Sequence, residues 1–257
     1  MRINPIKQKL HRGEPSVGIW QSFSYPGISS ILSDAGFEWI VYDMEHGHYD
    51  IHTLIGCMDA AGRSPTRTFV RVPENNAALI KQILEAGAEG VVIPLVNTKE
   101  DAKRAVAACK YPPEGIRGIG CGRGARYGRD FAGTLANANE NVLVCVQIEH
   151  IDAVNNIDEI AAVPGIDVLF IGPYDLSASL GITGQTASEQ IMQCVDRVLD
   201  AGRKYHVPVG MFCRDEAHTV QMIQKGVQFI SYTEDKNLFN ASVDQTLSKL
   251  HTLMETL

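Results

Sequence analysis

The sequence predicts an α/β protein built as a closed (β/α)8, or TIM, barrel. Three observations carry that expectation. Eight short apolar runs are spread along the 257 residues. Most of them are apolar throughout rather than alternating, as strands buried on both faces of a parallel sheet must be. The stretches between them have the apolar periodicity of amphipathic helices. Eight β-then-α units closed into one barrel usually take about 250 residues, so residues 1–257 read as one barrel domain.

In chain order the predicted strands are Ser16–Gln21, Trp39–Asp43, Thr68–Val72, Gly90–Val96, Val142–Glu149, Asp167–Gly172, Pro208–Cys213 and Phe229–Thr233. Helical periodicity marks Ala77–Ala86, Lys99–Cys109, Glu189–Tyr205 and Ala217–Lys225. Gly36, Gly62, Gly87 and Gly226 stand where helix C-caps belong. The rival, an open doubly wound sheet, usually carries a glycine-rich dinucleotide turn after its first strand, and Gln21–Gly27 is not one. One segment breaks the rhythm. Tyr111–Asn139 is a long Gly- and Arg-rich connection, a length that suits a lid or an interface element. Its Gly118-Ile-Gly120-Cys-Gly122-Arg-Gly124 run neither follows a strand directly nor opens a clear helix, so a nucleotide loop is set aside.

Composition narrows the class. With 45% hydrophobic and 21% charged residues the chain suits a soluble protein with a sizeable core. A net charge of −7 argues against a nucleic-acid surface. The six cysteines are scattered without Cys-x-x-Cys spacing, which reads as reduced structural thiols in the cytoplasm. Met1 to Ser16 is polar and lacks a signal-peptide core, and no apolar run is long enough to span a bilayer.

Barrel active sites sit at the C-terminal ends of the strands. Tyr42-Asp43-Met44-Glu45-His46 ends the second predicted strand, Val70-Arg71 the third, Gln147-Ile148-Glu149 the fifth and Gly172-Pro173-Tyr174-Asp175 the sixth. Four strands therefore bring ionisable groups to one mouth. Glu149 and Asp175 leave adjacent strands, whose axes lie roughly 4.8 Å apart. Two carboxylates that close repel unless a cation or a proton lies between them. An all-oxygen site with few protein ligands suits Mg2+ or Mn2+. Two solvated loop acids are the plainer alternative, and position at strand ends favours the metal.

His46 is a candidate general base or proton shuttle. Asp43 or Glu85 is placed to orient it, and either is otherwise an acid satisfied by a nearby amide. His48 and His52 lie close by, but no third ligand of zinc spacing is visible. Arg71 suits the stabilisation of an enolate or the clamping of a carboxylate, with a rim salt bridge as its bland alternative. Gly172 lets a substrate approach the backbone, and the amides of the helix that follows suit a carboxylate. No lysine ends a strand, which argues against a Schiff base; the nearest is Lys236, just past the eighth. Arg214-Asp215-Glu216 and Thr233-Glu234-Asp235 are acidic and lack glycine-rich cradles, so a phosphorylated substrate is not expected.

These strand ends, together with Phe69-Val70-Arg71, Val146-Gln147-Ile148-Glu149, Phe170-Ile171-Gly172-Pro173-Tyr174-Asp175-Leu176-Ser177 and Lys110-Tyr111-Pro112-Pro113-Glu114-Gly115-Ile116-Arg117-Gly118, resemble the HpcH/HpaI family of class II pyruvate aldolases. The match runs in order across nearly the whole chain. The resemblance implies a (β/α)8 barrel with Glu149 and Asp175 as ligands of Mg2+, Mn2+ or Co2+. It implies Gln147 on pyruvate or on metal waters, Arg71 on the keto oxygen and His46 as proton shuttle. The histidine's family partner, an aspartate on the third helix, corresponds to Glu85. Gly172 and Pro173 fall at the substrate, and Tyr174 stands where heptanedioate aldolases carry a small residue. Family members form hexamers built from dimers that exchange a C-terminal helix.

The implied reaction makes or breaks a carbon–carbon bond between the enolate of pyruvate and an aldehyde, with 4-hydroxy-2-oxo acids as substrates. Two other readings stay open: different enolate chemistry, such as oxaloacetate decarboxylation or citrate formation, and a non-catalytic metabolite-binding barrel. The full set of His46, Arg71, Glu149 and Asp175 argues against the second. Arg117, Arg123, Arg126 and Arg129 crowd the connection after the fourth strand. Read as starting at the mouth, it would bring arginines, Arg123 among them, to a carboxylated acceptor; a subunit-contact surface is the alternative.

Overall fold

The computed structural model describes residues 4–256, so Met1–Ile3 of the polar N-terminal segment and Leu257 lie outside it. All eight expected strands form: β1 Ser16–Gln21, β2 Trp39–Asp43, β3 Arg67–Arg71, β4 Gly90–Ile93, β5 Leu143–Ile148, β6 Val168–Ile171, β7 Val209–Cys213 and β8 Phe229–Glu234. Each pairs in parallel with the next, and β1 closes on β8. Strand β4 stops at Ile93, short of its expected end at Val96. Pro94 has no N–H for the ladder, and Leu95 turns to a φ of 53°.

The helices are α1 Pro5–His11, α2 Pro26–Asp34, α3 Ile51–Ala61, α4 Ala77–Glu85, α5 Lys99–Cys109, α6 Phe131–Asn141, α7 Ile151–Asn155, α8 Ile157–Ala161, α9 Pro173–Ser179, α10 Glu189–Tyr205, α11 Glu216–Lys225 and α12 Asp235–Met254. Their starts are written in cap chemistry. Asp50, Asn76, Ser188 and Asp215 each accept an amide of the first turn, and Thr98 forms a capping box with Asp101. Gly36, Gly87 and Gly226 take positive φ at helix ends as expected. Gly62 does not: at φ −65° it stays helical and donates to the Met58 carbonyl.

Two apolar layers hold the barrel. An outer layer, including Leu54, Ile80, Val144, Ile160 and Val198, lies between strands and helices. An inner layer fills the barrel: Trp20, Trp39, Val41, Phe69, Val92, Cys145, Phe170 and Phe229, packed with Ile6 and Leu10 of α1. Trp39 stacks on Phe229, centroids 3.9 Å apart. Gly18 makes that stack possible, because a Cβ there would collide with the Trp39 ring. Helix α1 covers the N-terminal end, where Lys7 meets the Val142 carbonyl and the Asp167 carboxylate. Side chains alternate in and out along a strand. Trp39, Val41 and Asp43 therefore form one inward stripe, Phe69 and Arg71 another, Cys145, Gln147 and Glu149 a third. Each stripe is apolar at depth and polar at the mouth.

The long connection departs from expectation. Residues 111–139 follow α5 rather than β4 directly. A helix in a βα unit runs antiparallel to its strand, so the chain is back at the N-terminal end when the connection starts. It there forms a 3-10 turn, Arg123–Gly128, and enters α6. It is no lid over its own mouth. Helix α12 buries only Asp235, leaving Phe239, Leu247, Leu250 and Leu253 exposed. Among the described residues no helix is long and apolar enough to cross a membrane.

Candidate active site

The ends of the inward stripes meet in a cavity of about 280 Å3 at the C-terminal mouth, lined by Trp20, Asp43, His46, Arg71, Gln147, Phe170, Gly172, Pro173, Tyr174, Asp175, Phe212, Glu234 and Lys236. Arg71 is its buried cation. Its Nε and Nη2 donate to the two oxygens of Asp43 at 2.9 and 2.7 Å, and Nη1 lies 2.9 Å from Glu45 Oε2. The guanidinium lies over the Trp20 ring, 4.5 Å from its centroid. Burial opposes its charge, but Asp43 and Glu45 outweigh burial and hold its pKa above the ordinary value. Burial likewise pushes the Asp43 carboxyl upward, and its bonds from Arg71 reverse the sign and keep it low.

Gln147 and Glu149 share one face of β5 and its end. The Glu149 carboxylate is only 3% exposed; Oε1 accepts the Leu95 N–H at 2.8 Å and Oε2 accepts Gln147 Nε2 at 2.6 Å. Burial, reinforced by the charges of Glu45 and Asp175, pushes the Glu149 carboxyl up to about 7. Gln147 Oε1 is buried without a hydrogen-bond partner. A glycine is required opposite, because a Cβ at Gly172 would lie 2.9 Å from Glu149 Cβ and 3.1 Å from its Oε2. Gly172 leads into α9, where Pro173 takes the first helical position and Asp175 the first turn. Tyr174 is exposed beside Phe212.

This donor set fits a hard divalent cation. The charge of Asp175 bears on the buried Glu149 carboxyl, and the orphaned Gln147 oxygen lacks a positive partner. No three His, Cys, Asp or Glu side chains converge as a metal cluster among the described residues. Mg2+ and Mn2+ take few protein ligands and keep waters or substrate oxygens.

His46 stands at the rim with its side chain 63% exposed, and the acid beside its Nε2 is Glu45, 3.9 Å away. Neither expected partner bonds the His46 ring. Asp43 spends its oxygens on Arg71 and on the amides of Glu45 and His46. Glu85 ends α4 at the opposite end of the barrel, where it binds Arg117, the Tyr111 hydroxyl and the Gly122 N–H. Arg123 is also corrected: it bonds the Ala86 carbonyl and the Asp59 carboxylate at that same end. Within one chain neither Glu85 nor Arg123 reaches the mouth.

Sequence reasoning missed Trp20, Glu45, Phe170, Phe212, Glu234 and Lys236 as site residues. Trp20 and Phe170 lie one inward step below the polar ring, so following the period-two stripes downward would have found them. Burial raises the Glu45 carboxyl, partly offset by Arg71.

Comparison with known proteins agrees with the barrel fold. A family model described as HpcH/HpaI aldolase/citrate lyase matches residues 16–241. The 5-keto-4-deoxy-D-glucarate aldolase of Shigella boydii serotype 18 (strain CDC 3083-94 / BS512) is 34% identical over 242 residues, 94% of each chain. The crystal structure of an HpcH/HpaI aldolase/citrate lyase family protein from Burkholderia cenocepacia J2315 is similar with a TM-score of 0.93 at 34% identity, covering 96% of this chain and 99% of that one. That of the citrate synthase SbnG gives 0.88 at 26% identity, covering 97% and 98%.

Proposed function

The chain belongs to the HpcH/HpaI aldolase/citrate lyase family, and on that premise we propose that it is a divalent-metal-dependent aldolase that splits 4-hydroxy-2-oxo acids into pyruvate and an aldehyde and runs the reverse addition. The observation that carries this reading is the buried Glu149 carboxylate, pushed up to about 7 by burial beside Asp175 and Glu45, with the unpartnered Gln147 oxygen next to it. Glu149 and Asp175 would hold Mg2+, Mn2+ or Co2+, with Gln147 on pyruvate or on a water. When bound, the cation supplies a Lewis acid for the 2-oxo group.

The chain's own groups do the rest. Gly172 leaves room for the Glu149 and Gln147 side chains against the backbone of the cavity wall. Arg71, held flat by Asp43 and Trp20, presents its guanidinium to the keto oxygen as negative charge gathers there. His46 takes the proton of the C4 hydroxyl, and Glu45 steadies the resulting imidazolium. The C3–C4 bond breaks, its electron pair forming the enolate, and the C4 oxygen becomes the aldehyde carbonyl. Protonation of C3 yields pyruvate.

Three finer readings belong to the same proposal. Residues 1–257 act as one catalytic unit. Helix α12, whose apolar residues Val243, Leu247, Leu250 and Leu253 are left exposed, is exchanged between subunits of a hexamer built from dimers. The six free cysteines suit the reducing cytoplasm.

The test is pyruvate release from 4-hydroxy-2-oxo acids, starting with 5-keto-4-deoxy-D-glucarate because the curated relatives carry that activity in their name. Activity is expected to vanish with chelator and return with Mg2+, Mn2+ or Co2+. Borohydride trapping of pyruvate on a lysine overturns the proposal. The likeness to a citrate synthase keeps a second reading, other enolate chemistry on the same residues; oxaloacetate consumption without any aldehyde selects it.

A further inference from the structure

The mouth holds a charged pair that the mechanism leaves unused. At the end of β8, Glu234 Oε2 lies 2.9 Å from Lys236 Nζ and accepts the Ser22 hydroxyl at 3.1 Å. Both side chains line the cavity.

The backbone is bent to put them there. Thr233, a buried β-branched residue, has a φ of 50°, a conformation such residues rarely adopt. The β1–β8 register shifts between Gly18 and Trp20, so that Trp20 faces Glu234. Irregularities of this kind re-aim side chains beside active sites. Asp235 then locks the turn by accepting the amides of Ser22, Phe23 and Lys236.

Charge says what the pair is for. Asp43, Asp175 and Glu234 line the cavity, with the buried Glu149 beside Gln147. An anionic aldehyde entering it meets carboxylates. Arg71 is already bound by Asp43 and Glu45. Besides Arg71 and His46, Lys236 is the basic side chain among the described lining residues; it is 46% exposed and has one carboxylate partner.

We propose that Lys236 is a specificity-determining residue that receives a carboxylate on the aldehyde half of the substrate, with Glu234 parking the ammonium when the site is empty. This deepens the aldolase reading and rests on it. The carboxylate reader then sits on the β8–α12 turn rather than on the arginine-rich connection.

The experiment compares 2-oxoadipate with 2-oxohexanoate, acids of equal chain length that differ in a terminal carboxylate. Their dissociation constants are measured by calorimetry with Mn2+ on wild type, Lys236→Met, Lys236→Arg and Glu234→Gln. Wild type is expected to prefer the diacid. Lys236→Met lowers that preference about 10- to 100-fold, the loss of one charged hydrogen bond. Lys236→Arg keeps most of it, and Glu234→Gln raises it by freeing the ammonium while keeping an acceptor for Ser22. An unaltered preference in Lys236→Met, equal weakening of both acids, or no binding of either acid to wild type overturns the proposal. Failure of the aldolase reading looks different: wild type then releases no pyruvate from any 4-hydroxy-2-oxo acid, whatever the ratio of affinities.

Discussion

Arg71 is held from three sides, by Asp43 along its edge, by Glu45 on its remaining nitrogen and by the Trp20 face below. A lysine at this position keeps the charge but loses the planar fork. Arg71→Lys is expected to lower kcat by about 10²–10³, as for loss of one donor to a developing oxyanion. Steady-state kinetics decide: an unchanged kcat with only a raised KM shows that Arg71 binds ground state and transition state alike. Glu149 gives a second prediction at this scale. Its folded pKa, about 7, is raised above the ordinary carboxyl value, so the native state holds the proton more tightly than the unfolded one. That stabilisation is complete below about pH 4.5 and is lost as pH rises through about 7. In chelator, Glu149→Gln is therefore expected to match wild type near pH 4.5 and to exceed it by up to about 3 kcal/mol above pH 7. Melting curves across that range test it, and a gap that is constant with pH removes Glu149 as the buried acid.

Strands and helices differ in how much of their placement the sequence spells out. The eight apolar runs were legible because burial on both faces needs apolar side chains at every position. Asp43, Arg71, Gln147, Glu149 and Asp175 were legible because they follow those runs. Glu85 and Arg123 were misplaced because distance along the chain does not say which end of the barrel has been reached; α4 and α5 each carry the chain back down. Glu234 and Lys236 were hidden for another reason. Their approach to the mouth depends on one positive φ at Thr233, which a threonine does not advertise. Packing between strands is equally silent in sequence. Gly18→Ala is expected to cost at least about 1–3 kcal/mol, the usual overpacking range, because its Cβ would enter the Trp39 ring. Denaturant melts of Gly18→Ala, Trp39→Leu and the double variant test the contact. The double variant should be more stable than the sum of the two losses, and strict additivity argues that the alanine is accommodated elsewhere.

The molecule as a whole carries apolar surface that one barrel does not use. Helix α12 leaves Phe239, Val243, Leu247 and Leu250 in solvent, and Tyr25 and Ile31 of the α2 region are exposed too. A contiguous apolar face of this kind marks an association surface. Phe239→Asp with Leu247→Glu is expected to reduce the assembly to smaller species by light scattering while far-ultraviolet circular dichroism keeps the barrel's signal. An unchanged mass removes α12 from the interface. The arginine-rich connection, at the barrel's other end with Ile119 and Tyr127 exposed, fits the contact-surface reading rather than a role at its own mouth.

The stacked Trp39 and Phe229, with α1 behind them, have a kinetic corollary. A barrel plugged at one end is a cul-de-sac, and everything that reacts in it shares one exit. Glu149 is buried and Lys236 exposed, so the proposed metal site shields the pyruvate half of a substrate while the aldehyde half faces the opening. Departure must then be sequential, aldehyde first and pyruvate last. In cleavage assays pyruvate is expected to inhibit competitively against the oxo acid, because both meet the empty enzyme, and the aldehyde noncompetitively. Product-inhibition plots showing the reverse pattern would mean that pyruvate escapes past a bound aldehyde, and that the inner aromatic layer opens during turnover.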